Sequence, residues 1–479
     1  MPKNNLFADY DAGTSYCEIT GRKGAESRSA LKKRLAGYNI RTLNQRNRAA
    51  ERELENLGIT FTVYSDAGAI DRILPFDPIP RPISASEWRT LEAGCIQRVT
   101  AINAFLKDVY GPQKIFKDKI LPRALVLRNK NFRKEMIGVK LPHDTYVQIA
   151  GVDVIRDENG KFLVLEDNCR CPSGVSYVIE NRHLMMRSFP DLMEGARIEP
   201  VSDYGQRLKA KLIETAPTGT KEPQAVLLTA GVYNSAYFEH VFLAREMGVP
   251  LVEGHDLVVS DDDSVWMKTV AGLAPVHVIY RRIDDAFLDP EVFRKDSLLG
   301  VPGVMRAFKA GKVTLANAVG TGVADDKAVY AYLPRIIKYY LGEDAILDNV
   351  ETYICREKEA LAYVLDHLGE LVLKPVGESG GYGIVVGPKA SKAELTDARR
   401  ALKKDPANYI AQPMIDLSVC PTLTKDGVRP RHVDLRPFVL TGEKSWVLPG
   451  GLTRVALREG SIVVNSSQGG GSKDTWVMK

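Results

Sequence analysis

Three groups of side chains in this sequence have the types and spacing needed for chemistry on phosphorylated or anionic compounds. The first is Asp153, Glu166 and Asn168. The stretches that carry them, YVQIAGVDVI and KFLVLED, are apolar and β-branched, and Arg156-Asp157-Glu158-Asn159-Gly160 between them is turn chemistry, so an antiparallel hairpin is predicted over about 145–168. Side chains alternate along a strand, which puts Glu166 and Asn168 on one face and Asp167 on the other. Two carboxylates and a carboxamide suit a hard cation such as Mg²⁺, which takes few protein ligands and completes its shell with water and phosphate oxygens. Taken alone, the triad also fits an ordinary acidic surface hairpin.

The second group is Lys374 in LVLKPVGESGGYGIVV, with Gly377, Gly380, Gly381 and Gly383 after it. Such a loop lets backbone N–H groups approach phosphates, and a lysine at the end of an apolar strand supplies a compact counter-charge. The pattern is not a P-loop, and an apolar strand rather than a long helix follows the glycines. A glycine-rich hairpin without a ligand is the other reading. The third group is Asp434-Leu435-Arg436, Arg454, and Asn465-Ser466-Ser467-Gln468 before Gly469, Gly470 and Gly471. Arginines on sheet positions beside a glycine turn suit oxyanions, either a transferring phosphoryl group or the collapsing intermediate of acyl transfer; structural ion pairs are the alternative. No G-x-S-x-G elbow or H-E-x-x-H pattern occurs, and His143, His183 and His240 read as structural.

The elements that must position these groups follow from periodicity. Ser84 and Glu87 form a capping box before Trp88, Leu91, Cys95, Val99, Ile102, Phe105 and Leu106, a helical repeat that Gly111-Pro112 stops. Before it, Pro75, Pro78, Pro80 and Pro82 read as a connector out of an N-terminal extension. Strand AVLLTA, a helix from about Ser235 to Met247 and strand PLVEG alternate as in a parallel α/β layer. A helical stretch from Asp326 to Leu341-Gly342 precedes strands LVLKPV and GIVVG, a helix near 391–404 and strand YIAQPMI, which is α+β organisation. The tail alternates strands and turns in DLRPFVL, SWVLPGG and SIVVNSS.

A length of 479 residues suggests about three domains. The longest apolar runs, such as Ala225 to Ala230, are too short to span a bilayer, and the first twenty residues resemble neither a signal nor a transit peptide, so a cytoplasmic protein without a membrane partner is expected. A net charge of +5 from 65 basic and 60 acidic residues argues against a nucleic-acid partner. Lys32-Lys33-Arg34 with Arg46 and Arg48 reads as a solvated helix face. Six scattered cysteines point to reduced thiols, and Cys169-x-Cys171 lacks the second pair of a zinc site.

Lys374 with its SGGYG loop resembles the first nucleotide-binding segment of the ATP-grasp fold, and Ile410-Ala411-Gln412-Pro413-Met414 resembles the hinge whose backbone meets adenine, with Gln412 where glutamate often stands. Asp434-Leu435-Arg436, Arg454 and Asn465 with Gln468-Gly469-Gly470 resemble the order of elements in glutathione synthetase-like and ribosomal-protein glutamate-ligase-like members. In those members a helix, G-x-D, a hairpin and E-x-N come next. Here the sequence after the loop runs only to Lys479, and the missing parts stand at the other end: the helix from Ser86, Gly151-Val152-Asp153 and Glu166-Asp167-Asn168. The rotated order resembles the circularly permuted ATP-grasp group (type 2), related to glutathionylspermidine synthetase, over about residues 80–479.

The resemblance implies a multidomain α/β and α+β protein. Residues 1–80 would be an N-terminal extension, 81–222 the permuted part of the C-terminal ATP-grasp subdomain with a linker, and 223–325 a Rossmann-like substrate-side domain. Residues 326–410 would form the central subdomain, and 411–479 the remainder of the C-terminal one. It further implies ATP and Mg²⁺, with the ion on Asp153, Glu166 and Asn168. Lys374, Ser379, Gly380, Gly381, Gly383, Gln412, Met414, Asn465 and Gln468 would hold the nucleotide, with either Lys327 or Lys338 on a phosphate. Arg436 and Arg454 would be catalytic, and Arg170, Ser173, Asn234, Arg281 and Arg282 would border the substrates. The implied reaction joins a small or peptide-like carboxylate to an amine acceptor through an acyl phosphate; a phosphotransferase on the same scaffold and a non-catalytic nucleotide-binding protein are the alternatives. Oligomeric state is not legible.

Overall fold

Ser84 opens a helix over Ala85–Val109: its hydroxyl accepts from the Glu87 amide and the Glu87 carboxylate accepts from the Ser84 amide, the reciprocal cap read from the sequence. Trp88, Leu91, Cys95, Val99, Ile102, Phe105 and Leu106 are all buried, and the helix packs on Leu333–Leu341 and on the strand Ser445–Val447. The computed structural model in which these elements are seen describes residues 6–7, 9–20, 26–65, 68–376, 383–461, 464 and 470–479.

The hairpin consists of Ile149–Arg156 and Phe162–Asn168, with Asp153 opposite Glu166, Gly151 opposite Asn168, and a bulge after Asp153. Its first strand pairs on the other edge with Gly427–Arg436 and Phe438–Thr441, a run interrupted at Pro437, whose carbonyl accepts from the Val152 amide at 3.1 Å. A strand from the first third of the chain is thus built into a nine-stranded sheet made largely of residues beyond 418.

The far edge of that sheet joins the two ends of the sequence. Phe76–Ile83 lies parallel to Gly471–Val477, and every residue of both strands is buried. The proline-rich run expected to be a connector is therefore a strand. The carbonyls of Pro75 and Ile83 face the partner strand, accepting from Ser472 and Met478, so the alternate prolines at 78, 80 and 82 turn their missing donors to the other side, where a sheet edge tolerates them. Lys473, fully buried, donates to Asp77 and to the carbonyls of Ile79 and Pro421. The N-terminal helices Glu26–Leu35 and Ile40–Asn56 bury Leu31, Leu35, Leu43, Ala50 and Leu54 in the same core as Ile79 and Trp476. Lys32, Lys33 and Arg48 stay exposed, as a solvated face requires.

Two further layers follow, the first of which borders the cavity described below. Ala225–Leu228, Leu251–Val252, Val278–Arg281 and Thr314–Ala316 form a four-stranded parallel sheet, with the helix Tyr237–Met247 between its first two strands and Gly248 in the left-handed region (φ 61°) as its stop. Tyr353–Ile354, Leu371–Pro375, Val385–Val386 and Tyr409–Pro413 form an antiparallel sheet, with the helices Lys358–His367 and Lys392–Lys404 closing its core. Among the described residues no helix is long and apolar enough to cross a membrane, and all six cysteines are unpaired. The strand expected in SIVVNSS falls mostly on residues outside those described.

Breaking the Lys473–Asp77 contact leaves a buried ammonium without its counter-ion. Asp77→Ala is expected to destabilise the chain by about 3–5 kcal/mol in urea unfolding at neutral pH, whereas removal of an exposed pair, by Lys161→Ala, changes it by less than about 1 kcal/mol.

Candidate active site

The hairpin sets Asp153, only 2% exposed, against two arginines carried by strands 283 and 301 positions away in sequence. Arg436 donates from Nε and Nη2 to the two Asp153 oxygens at 2.5 and 2.8 Å, and Arg454 donates from Nη2 at 2.7 Å. Arg454 also pairs with Asp434, its register partner on the neighbouring strand, through contacts of 2.5–3.1 Å. Burial works to raise the Asp153 pKa, but the Arg436 and Arg454 guanidiniums outweigh it and hold the carboxyl well below the usual range. Glu166 is the freer carboxylate: its side chain is 30% exposed, with Lys327 Nζ and Arg436 Nη2 both 3.9 Å away. Its pKa is raised, first by burial and then by the charge of Asp153. Asp167 faces the opposite side, as alternation required, and is gripped there by Arg98 at 2.6 and 2.9 Å.

The donor chemistry of this edge fits Mg²⁺, with a constraint. Among the described residues no group of three or more His, Cys, Asp or Glu side chains is disposed to hold a metal; the oxygen donors that this edge offers are the carboxylates of Glu166 and Asp153 and the carboxamide of Asn168. Asn168 turns its amide nitrogen to Asp153 Oδ1 and to the Gly151 carbonyl, both at 3.3 Å, which leaves its carbonyl oxygen as the ligating atom. Asp153 accepts four hydrogen bonds, the full capacity of a carboxylate. Glu166 and Asn168 are consequently the primary ligand candidates, and Asp153 joins them only by exchanging a guanidinium.

Lys374 sits on the antiparallel sheet and donates to Gln412 Oε1 at 2.6 Å, and Gln412 donates in turn to Thr352 at 2.9 Å. Burial, and then Lys327, lower the Lys374 pKa to about 8 against the opposing pull of Glu166. Met414, just beyond the strand, exposes its side chain, and Gly383 is an exposed residue as well. Ser379, Gly380, Gly381, Asn465 and Gln468 lie outside the described residues. Of the two rival lysines, Lys327 is the one beside Glu166; Lys338 is exposed and pairs with Asp344 at 2.9 Å.

A cavity of about 560 Å³ opens between this edge and the parallel sheet, and it gathers Glu166, Asn168, Arg436 and Arg454 with Arg170, Ser173, Asn234, Arg281 and Arg282. The arginines differ in what they can offer. Arg281 is spent on the carbonyls of Asn317, Ala318 and Ile283 and on Asp285. Arg170 is held by Asp325 at 2.5 Å and Asp284 at 3.3 Å. Arg282 grips the Pro172 carbonyl at 2.7 Å and Glu239 at 3.1 Å.

Sequence reasoning missed Asp325 and Glu239. Asp325 accepts from the backbone of Cys169 and Arg170 as well as from the Arg170 side chain. Glu239 accepts from Gly174, Ser176 and Arg282, so it holds the Pro172–Gly174 turn from the helix Tyr237–Met247. Neither belongs to a motif of fixed spacing; the only signal was a charged side chain on an otherwise apolar helix face at Glu239. His240 beside it is neutral, its pKa lowered to about 2 by burial and then by Arg282, and it bonds Thr229.

A lysine-bearing antiparallel α+β layer facing a sheet with a carboxylate–amide hairpin, the hairpin supplied out of order, defines a permuted ATP-grasp protein. The chain belongs to the family described as circularly permuted ATP-grasp type 2, which matches residues 80–456. An uncharacterized protein of Synechocystis sp. is 52% identical over 473 residues, covering 98% of each chain. One from Mycobacterium tuberculosis is 52% identical over 445 residues, 93% of this chain and 80% of that one. A Frankia casuarinae protein, provisionally named glutamate–cysteine ligase 2-2, is 41% identical over 469 residues; these are 97% of this chain and 54% of the Frankia protein, so the chain spans about half of it. The solved structure of a glutathione synthetase-like effector from Globodera pallida, in its apo form, superposes with a TM-score of 0.58 at 11% identity, over 92% of this chain and 98% of that one, a likeness of fold. ATP and Mg²⁺ are the usual nucleotide and ion of ATP-grasp proteins, and the family with its ligase-named relative supports an ATP-dependent ligase.

The depressed Asp153 pKa stabilises the fold above the unfolded carboxyl pKa of about 4, and this contribution is lost as pH falls through the folded value. Asp153→Asn is therefore expected to lower stability by about 3 kcal/mol at pH 7 and to flatten the acid side of the stability–pH curve, read by urea unfolding between pH 3 and 7.

Proposed function

We propose that this chain is an ADP-forming carboxylate–amine ligase that uses ATP and Mg²⁺ to make an amide bond. The reading rests on one observation above others: the cavity that receives Glu166 and Asn168 from the hairpin is walled on the same side by Arg436 and Arg454 and continues to the parallel sheet. A nucleotide terminus and a second substrate can therefore share it.

In this reading Glu166 and Asn168, with Asp153 on release of a guanidinium, would hold Mg²⁺, which when bound would supply positive charge to offset that of the phosphates. Lys327, beside Glu166, and Lys374, on the antiparallel sheet, would supply fixed counter-charge to the phosphates; the exposed Met414 would offer an apolar surface to the base. A substrate carboxylate oxygen attacks the γ-phosphorus and the bond to ADP breaks, giving an acyl phosphate. The acceptor nitrogen then bonds to the acyl carbon, phosphate leaves with the C–O electron pair, and the nitrogen sheds a proton. Arg436 and Arg454, positioned beforehand by Asp153 and Asp434, stabilise the charge that develops on oxygen.

Screening amino acids, short peptides and simple amines in pairs with carboxylates for ATP-dependent ADP and phosphate release should find turnover that Asp153→Ala and Lys374→Ala abolish. Activity that survives both substitutions would sink the site assignment. Mass detection of an amide product supports the ligase, whereas a stable phosphoryl product would identify a phosphotransferase. Because phosphate binding needs Lys374 charged, ATP affinity measured by calorimetry is expected to fall as pH rises through about 8, approaching tenfold per pH unit above that value, and Lys374→Arg should remove this dependence.

A further inference from the structure

The segment that leads from the parallel sheet to Lys327 grips the end of the hairpin with two side chains. Asn317 follows the strand Thr314–Ala316 and is only 1% exposed. Its amide nitrogen donates to the carbonyls of Ile149, Cys169 and Arg170 at 2.7, 2.9 and 3.0 Å, and its oxygen accepts from the amides of Gln148 and Ile149 at 2.7 and 2.8 Å. Asp325 supplies the other half of the grip. One of its oxygens accepts from the amides of Cys169 and Arg170, and the other accepts from Arg170 Nε at 2.5 Å. All four backbone polar groups of Cys169 and Arg170 are thus bonded to two side chains of one segment, although backbone groups pair mostly with backbone.

Cys169 directly follows Asn168, the carboxamide that the hairpin offers to a cation, and Lys327 stands two residues after Asp325 with its Nζ 3.9 Å from Glu166. Between Asp325 and Lys327, Asp326 caps the helix Lys327–Ala331: it accepts from the Ala328 and Val329 amides and from Asn129, which fixes the backbone that carries the lysine. The Asp325 carboxylate is therefore a direct bridge from the strand end that offers Asn168 to the helix start that offers Lys327, and it lines the same cavity as Glu166 and Asn168. We propose that Asp325 is a positioning residue that sets the spacing between Asn168 and Lys327, so that a divalent cation on the hairpin and the lysine meet the same nucleotide. The inference rests on the proposed binding of ATP and Mg²⁺ and not on amide formation. A carboxylate suits the task, because one oxygen takes two successive amides while the other takes a guanidinium.

MgATP affinity of the full chain, measured by calorimetry, tests the inference through a double-mutant cycle. Lys327→Ala should weaken binding about 10-fold or more in the otherwise unaltered chain, the range of a charge-assisted hydrogen bond. Asp325→Glu keeps the charge and both oxygens but adds a methylene, so an anchor that serves stability alone survives it and a spacer does not. It should weaken MgATP binding about 10-fold and cut the further loss from Lys327→Ala to less than about threefold, because residues that act as a unit do not add. If Asp325→Glu does not fold, Asp325→Ala takes its place in the cycle with the same expectations. Asp325→Asn keeps the length, the volume and an oxygen for the two amides, and should bind MgATP within about threefold of the unaltered chain. The inference is overturned if Asp325→Glu binds MgATP as the unaltered chain does, if the Lys327→Ala loss is the same in both backgrounds, or if Asp325→Asn alone weakens binding about 10-fold or more. Failure of the unaltered chain to bind MgATP would overturn the nucleotide assignment and this inference with it. Binding of MgATP without turnover on any acid and amine would instead count against the ligase reading alone.

Discussion

A carboxylate buried between two guanidiniums is the constraint from which the site and much of the fold follow. Asp153 comes from the early hairpin, Arg436 and Arg454 from the late strands, and burial of any one without the others would leave a charge in a low-dielectric interior. The two ends of the sequence must therefore meet in one sheet. The same network runs outward through Asp434 to Arg81, which donates to the Asp434 carbonyl and pairs with the fully buried Glu18, so even the N-terminal segment is tied to it.

Arg436 extends the network in the other direction. Its Nη1 donates to the Ser173 carbonyl, while Arg282 takes the Pro172 carbonyl and Glu239 the Gly174 amide, so one tight turn is clamped from the permuted sheet and from the parallel sheet together. Only glycine fits the third position of that turn. Gly174 has φ 107°, and a Cβ there would stand 2.7 Å from Leu452 Cδ2. The cavity floor is thereby fixed by groups of two sheets, which preorganises the arginines rather than leaving them to find substrate.

Features with a local physical cause were legible in the sequence. The capping box at Ser84 and Glu87, the period-two hairpin with Asp167 turned away, and the β-α-β alternation after residue 223 each depend on neighbours within a few positions. The strand Phe76–Ile83 was not legible, because three alternate prolines argue against a strand until a partner is known to occupy the single edge that retains its donors. That Lys327 lies beside Glu166 while Lys338 pairs with Asp344 likewise depends on how distant segments pack, and spacing cannot express that.

The sequence alone determined the inventory: a carboxylate–amide hairpin, a strand-end lysine before glycines, arginines on late strands, and the rotated order that makes each end of the chain complete the other. These are properties of residue type and short-range periodicity, which the backbone imposes wherever the segment folds. Tertiary structure alone decided that Asp153 is saturated by Arg436, Arg454 and Asn168 while Glu166 stays partly exposed beside Lys327 and Arg436, that Arg281 is spent on carbonyls and Asp285 while Arg282 clamps the Pro172 turn, and that a cavity unites them. Those outcomes depend on which charges find each other across separations of 283 and 301 residues, and desolvation makes such pairing obligatory without recording it in any local pattern.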